Sequence, residues 1–82
     1  MTYNELYIRR ISDLCARQNY SVNHLAAISG VSQSTLNHIM QGVSQNPRAM
    51  TLHKIARAFG MTLSEFLDFP ELNLYSFENK KQ

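Results

Sequence analysis

The sequence contains one cysteine and no tryptophan, and just three glycines and two prolines in 82 residues. A lone Cys15 excludes an internal disulfide framework and suits a reducing compartment. No apolar run approaches the roughly 18 residues of a membrane span. The opening "MTYNELYIRR" lacks the basic-then-apolar pattern of a secretory signal. A cytoplasmic protein without membrane contact is expected. Acidic residues are missing from a long interval: all six lie outside residues 14–64, as Glu5, Asp13, Glu65, Asp68, Glu71 and Glu78. Also missing are a glycine-rich phosphate loop, paired carboxylates and a nucleophile motif. His24, His38 and His53 stand 14 and 15 residues apart, in no zinc pattern. No enzyme, metal, cofactor or small-molecule ligand is therefore expected.

What remains is one small domain with 44% hydrophobic residues, near the lower size limit for an unaided core. Pairing is a common route to stability at this size, so a homodimer is expected. The net charge of +2 says little, but its placement says more. The acid-free interval holds Arg17, Arg48, Lys54 and Arg57, half of the basic residues, with nothing to oppose them. A polyanion-binding surface needs that segregation.

The periodicity is helical. "TYNELYIRRISDLCARQN" sets Tyr7, Ile8, Ile11, Leu14 and Cys15 on one face, with Thr2 and Glu5 as a capping box. A second helix starts after Ser21 and runs to Ser29; a third follows Ser32 and ends by Gly42. Residues 42–50, "GVSQNPRAM", read as a loop. Thr51 is expected to cap a fourth helix over "LHKIARAF", and Thr62 a fifth over "LSEFLDF", stopped by Pro70. Phe59, Phe66 and Phe69 are expected in the core, Phe69 also being a candidate for a dimer contact. Residues 1–70 thus form the domain. The tail from 71 to 82 is open to three readings: an edge strand, a docked dimerisation arm, or a frayed, disordered end.

Between the second and third helices only about three residues intervene, with Gly30 at the bend, where glycine adopts positive φ without penalty. Ala26 permits close approach, and Leu25, Ile28, Val31, Leu36 and Ile39 are expected to hold the two helices at a fixed angle. Those are the mechanical needs of a helix-turn-helix over residues 21–42. The third helix, within "SGVSQSTLNHIMQG", carries amides, hydroxyls and an imidazole outward where Lys and Glu are usual. Amides pair with base edges, whereas a carboxylate there is repelled by phosphates.

The runs "LAAISGVSQSTLNHIMQG" and "NPRAMTLHKIARAFGMTLSEFL" resemble the Cro/C1-type (XRE-like) helix-turn-helix proteins of phage and bacterial repressors, over about residues 6–69. The resemblance implies an all-α, compact five-helix lambda-repressor-like fold with a short C-terminal tail. It also implies sequence-specific double-stranded DNA binding by a small transcriptional regulator, a repressor by preference. The third helix would lie in the major groove, and a homodimer would read a pseudo-palindrome. Matched residue by residue, Gln33, Ser34, Asn37 and His38 fall to base contact. Asn23, Thr35, Ser44, Gln45, Asn46, Arg48 and Thr51 fall to the DNA backbone. Relatives often hold a phosphate with a glutamine early in the second helix; this chain has Val22 there, beside Asn23. Ser29 stands where many relatives have Leu, and Ile28 is expected to take over its packing. The alternative function is a protein-interaction helix-turn-helix, such as an antitoxin or a regulator-docking subunit, with Leu72, Leu74, Tyr75 and Phe77 as its partner surface.

Overall fold

A computed structural model describes residues 2–43 and 46–77. Its elements are α1 (Tyr3–Gln18), α2 (Val22–Ser29), α3 (Gln33–Met40), α4 (Ala49–Ala58), α5 (Leu63–Leu67) and α6 (Pro70–Asn73), with no strand among the described residues. Caps explain most of the boundaries. Thr2 and Glu5, and again Thr62 and Glu65, exchange side-chain and backbone bonds across the first turns of α1 and α5. The Thr2 backbone N–H donated to the Glu5 carboxylate holds that group below its ordinary range, so this contribution is present above the unfolded pKa and is lost on acidification. Ser21 and Ser32 accept the backbone N–H groups of His24 and Thr35. Asn19 ends α1 at φ 62°, a left-handed position that asparagine tolerates better than most residues.

Two boundaries differ from the sequence expectation. The fourth helix begins at Ala49, capped by the extended backbone of Arg48, so Thr51 lies inside it rather than at its cap. Pro47, Ala and Met explain the shift: proline holds the chain extended before the helix, and the next residues are good helix formers. The fifth helix stops at Leu67, ahead of Pro70, which opens α6 at its first helical position. There its missing N–H is not needed.

The core is one cluster built around Ile11, Leu25, Leu36, Ile39, Ile55 and Phe66, all at most 1% exposed. Helix α2 packs on α3 and α4, α4 on α5, and α1 on α6. Phe59, Phe66 and Phe69 are buried as expected, and so is Cys15, whose thiol burial pushes up in pKa. Ile8 is only partly buried, while Leu6 and Asn4 lie inside the core-facing side of α1. Beyond α6, Tyr75 and Phe77 place their rings 5.0 and 5.4 Å from Tyr3, which in turn meets Tyr7 edge-on at 5.5 Å. The Tyr7 hydroxyl bonds that of Tyr3 at 3.3 Å.

One charged side chain ties the first helix to the fifth. Arg10 donates from Nε to the Phe66 carbonyl at 2.9 Å and from Nη2 to the Glu65 carbonyl at 3.0 Å. Its guanidinium also lies over the Phe69 ring, 5.0 Å from the centroid. It thereby serves carbonyls at the C-terminal end of a short helix that cannot satisfy them itself. Replacing Arg10 with Ala removes two charge-assisted bonds and a cation–π contact. A loss of about 2 kcal/mol is expected, read as a drop in Tm of about 10 °C. Arg10→Lys should recover less than half of it, because an ammonium cannot reproduce the planar fork.

Candidate nucleic-acid interface

The angle between α2 and α3 is set at their junction. Gly30 stands at φ 77° with open space where a side chain would begin, so strain rather than crowding selects glycine there. Ser29 reinforces the bend: its Oγ donates to the Ala26 carbonyl at 3.3 Å and accepts the Val31 N–H at 3.2 Å. Ile28 does not take over the packing expected of it; it is 43% exposed. The helical period explains this. Four residues after the fully buried Leu25 comes Ser29, which stays near the inward face, whereas Ile28 turns toward the flank.

Helix α3 presents three faces. At roughly 100° per residue, Leu36, Ile39 and Met40 face the core, so Ser34 and His38 lie most nearly opposite and point straight out. Gln33 and Asn37 share the flank nearer α2, and Thr35 the other flank. Gln33 donates from Nε2 to Asn23 Oδ1 at 2.7 Å and to Asn37 Oδ1 at 3.3 Å. A chain of three amides therefore links the start of α2 to the start of α3. Each of them keeps further donor or acceptor capacity for a ligand. Val22 is partly buried and packs against the core, so its neighbour supplies the polar group on this surface.

On the opposite flank Thr35, Asn46, Arg48 and Thr51, with Ile39 and Pro47, line an open cavity of about 350 Å³. Thr35 Oγ1 accepts from Ser32 Oγ at 2.8 Å. Arg48 is exposed, and no side chain caps the helix it precedes. Ser44 and Gln45 lie outside the described residues. The remaining expected residues thus fall into three neighbouring groups: an amide chain (Asn23, Gln33, Asn37), an outermost pair (Ser34, His38) and a hydroxyl–guanidinium patch (Thr35, Asn46, Arg48, Thr51). The five acids of the described chain are elsewhere: Glu5 and Glu65 in caps, Asp68 accepting from Asn73 at 2.8 Å, Asp13 on α1 and Glu71 on α6. No cluster of three or more His, Cys, Asp or Glu residues suited to a metal occurs among the described residues. No described helix is long and apolar enough to cross a membrane.

A short turn, a fixed inter-helix angle and an uncharged hydrogen-bonding helix are the parts of a DNA-reading helix-turn-helix. The family model for the Cro/C1-type HTH DNA-binding domain matches residues 10–71. The chain belongs to that family. Among similar proteins, the HTH-type transcriptional regulator SlrR of Bacillus subtilis (strain 168) is 42% identical over 52 residues, covering 63% of this chain and 34% of that protein. The HTH-type transcriptional regulator PuuR of Escherichia coli (strain K12) is 33% identical over 63 residues, covering 77% of this chain and 34% of PuuR. The chain thus spans about a third of the length of these curated relatives. The crystal structure of prophage Lp1 protein 11 superposes with a TM-score of 0.81 at 31% identity, over 92% of this chain and 99% of that one. The matched residues run from within α1 into α6 and include the turn at Gly30.

Two features of this Cro/C1-type domain escape sequence reasoning: the amide link from Asn23 to Gln33 and the hydroxyl brace at Ser29. Neither leaves a periodic signal, because each joins side chains across a bend. A double-mutant cycle on Asn23→Ala and Gln33→Ala should give a stability coupling of about 0.5–1 kcal/mol, measured by urea unfolding. Strict additivity would show that the bond does not form in solution.

Proposed function

We propose that this chain binds double-stranded DNA sequence-specifically as a small cytoplasmic transcriptional regulator, acting as a repressor. Helix α3 enters the major groove, and a homodimer reads a pseudo-palindromic site. One observation carries the reading: an uncharged, hydrogen-bonding α3 held to α2 by the Asn23–Gln33 bond. Beside it lie Thr35, Asn46, Arg48 and Thr51. The family membership and the naming of SlrR and PuuR as transcriptional regulators support it.

In this reading Gln33, Ser34, Asn37 and His38 face base edges. Ser34 and His38 reach deepest because they point directly away from the core. Gln33 is positioned before contact, since its link to Asn23 reduces the rotamer freedom lost on binding. Arg48, Thr51, Thr35 and Asn46 meet the phosphates on one side of the groove; Ser44 and Gln45, which the resemblance also assigns to the backbone, lie outside the described residues. Asn23 meets the phosphates on the other side. It thereby fills the role for which relatives often use a glutamine at the position of Val22. The tail from residue 71 serves as a dimerisation arm, with Leu74 and Phe77 offered outward at 81% and 68% exposure.

Selection of bound sequences from random duplex DNA tests the whole reading at once. Two half-sites about one helical turn (~34 Å) apart are expected. Recovery of no consensus would overturn it in favour of a protein-interaction role. On the selected site, Gln33→Ala should cost about 1–3 kcal/mol per half-site and relax the preference at one base pair. With Arg48 the one cation placed at the backbone in each protomer, about two phosphates are neutralised per dimer, and log K should fall against log salt with a slope of about −2. Arg48→Ala should reduce that slope by about one per protomer and weaken all sequences alike.

A further inference from the structure

The flank of α2 that turns away from α3 forms a second surface. The apolar Ile28, Met50 and Ala58, with Ser29, line an open groove of about 340 Å³ between the end of α2 and the solvent side of α4. His53, Lys54 and Arg57 form its rim. Along α4 the residues Met50, His53, Lys54 and Arg57 recur at helical spacing, opposite the buried Leu52, Ile55, Ala56 and Phe59. Met50 is 68% exposed and Ile28 43%, so apolar side chains stand in water here. No carboxylate lines the groove among the described residues, and the sequence has none between residues 14 and 64.

We infer that this groove docks an acidic amphipathic helix of a partner protein. Its apolar side chains fill the floor over Ile28 and Met50, and its carboxylates pair with Lys54 and Arg57. Three arguments fix that occupant. The groove carries two full positive charges and an imidazole with no acid paired to them among the described residues, which selects a negatively charged ligand. The floor is apolar and exposed, which a phosphate backbone would leave unburied and a helix of alternating Leu and Glu faces would cover. No strand edge exists among the described residues, so an extended peptide has nothing to pair with. The stripe from Met50 to Arg57 runs about 10 Å, enough to receive two turns of helix. Ile28 and Asn23 lie on opposite flanks of α2, which leaves the amide face of α3 free while the groove is filled.

The test uses the full chain, labelled with ¹⁵N, and two synthetic peptides of about fifteen residues. Both carry leucine along one helical face; one has glutamate and the other lysine on the flanking positions. The glutamate peptide should give saturable shifts confined to residues 27–30 and 49–59, and the lysine peptide none. Met50→Glu and the pair Lys54→Glu and Arg57→Glu should each weaken the glutamate peptide at least tenfold. These positions are exposed, so the spectrum of the folded domain should persist. Equal response to both peptides, absence of saturable shifts, or variants that bind as well as the parent would each overturn the proposal. So would the same residues shifting with a short duplex DNA alone, or with protein concentration alone. The first would assign the groove to DNA and the second to another copy of the chain.

Discussion

The constraint on which the rest depends is the angle between α2 and α3. It is fixed by a left-handed bend at Gly30, a serine brace across that bend, and apolar contacts from Leu25, Val31, Leu36 and Ile39 beneath it. With the angle fixed, one surface of α3 is committed to the core and the remaining arc is free to carry chemistry. The Asn23–Gln33 bond then locks the outer side of the same junction. A two-helix unit is thus held both below and above, and in the proposed DNA reading such fixed placement limits the ordering cost of binding.

Charge is distributed with the same economy. Of the five described acids, Glu5 and Glu65 stabilise the starts of α1 and α5 by meeting unsatisfied N–H groups, and Asp68 accepts from the Asn73 side chain in the turn after α5. The middle of the chain, which supplies α2, α3 and α4, keeps only bases and neutral polar groups. Two surfaces share this acid-free region. One is polar and faces outward from α3; the other is apolar-floored and basic-rimmed along α4. They occupy different flanks of α2, so their ligands need not compete.

Much of this organisation is legible in the residues. Ser21, Ser32, Thr2 with Glu5 and Thr62 with Glu65 mark helix starts because capping is a local interaction, written within four positions. The core is legible for the same reason: burial follows the helical period, as with Ile11, Leu36 and Ile55. The errors cluster where two signals compete or where no local signal exists. Thr51 looks like a cap, yet Arg48 occupies that place because Ala49 and Met50 extend the helix backward. Pro70 looks like a stop, yet it also opens a further turn. Ile28 looks like core, but the helical period of α2 puts it on the flank and Ser29 nearer the inward face.

The sequence by itself determined the first five helices, their order, the bend at Gly30 and the absence of acid from the middle of the chain, since all of these depend on local propensity and composition. Tertiary structure decided which distant groups meet. It joined Arg10 to the carbonyls of Phe66 and Glu65, Asn23 to Gln33, Tyr3 to Tyr75 and Phe77, and Ile28 to Met50 across a groove. Those pairings depend on the angles at which helices cross. Such angles arise from packing in three dimensions, which no spacing along one chain records.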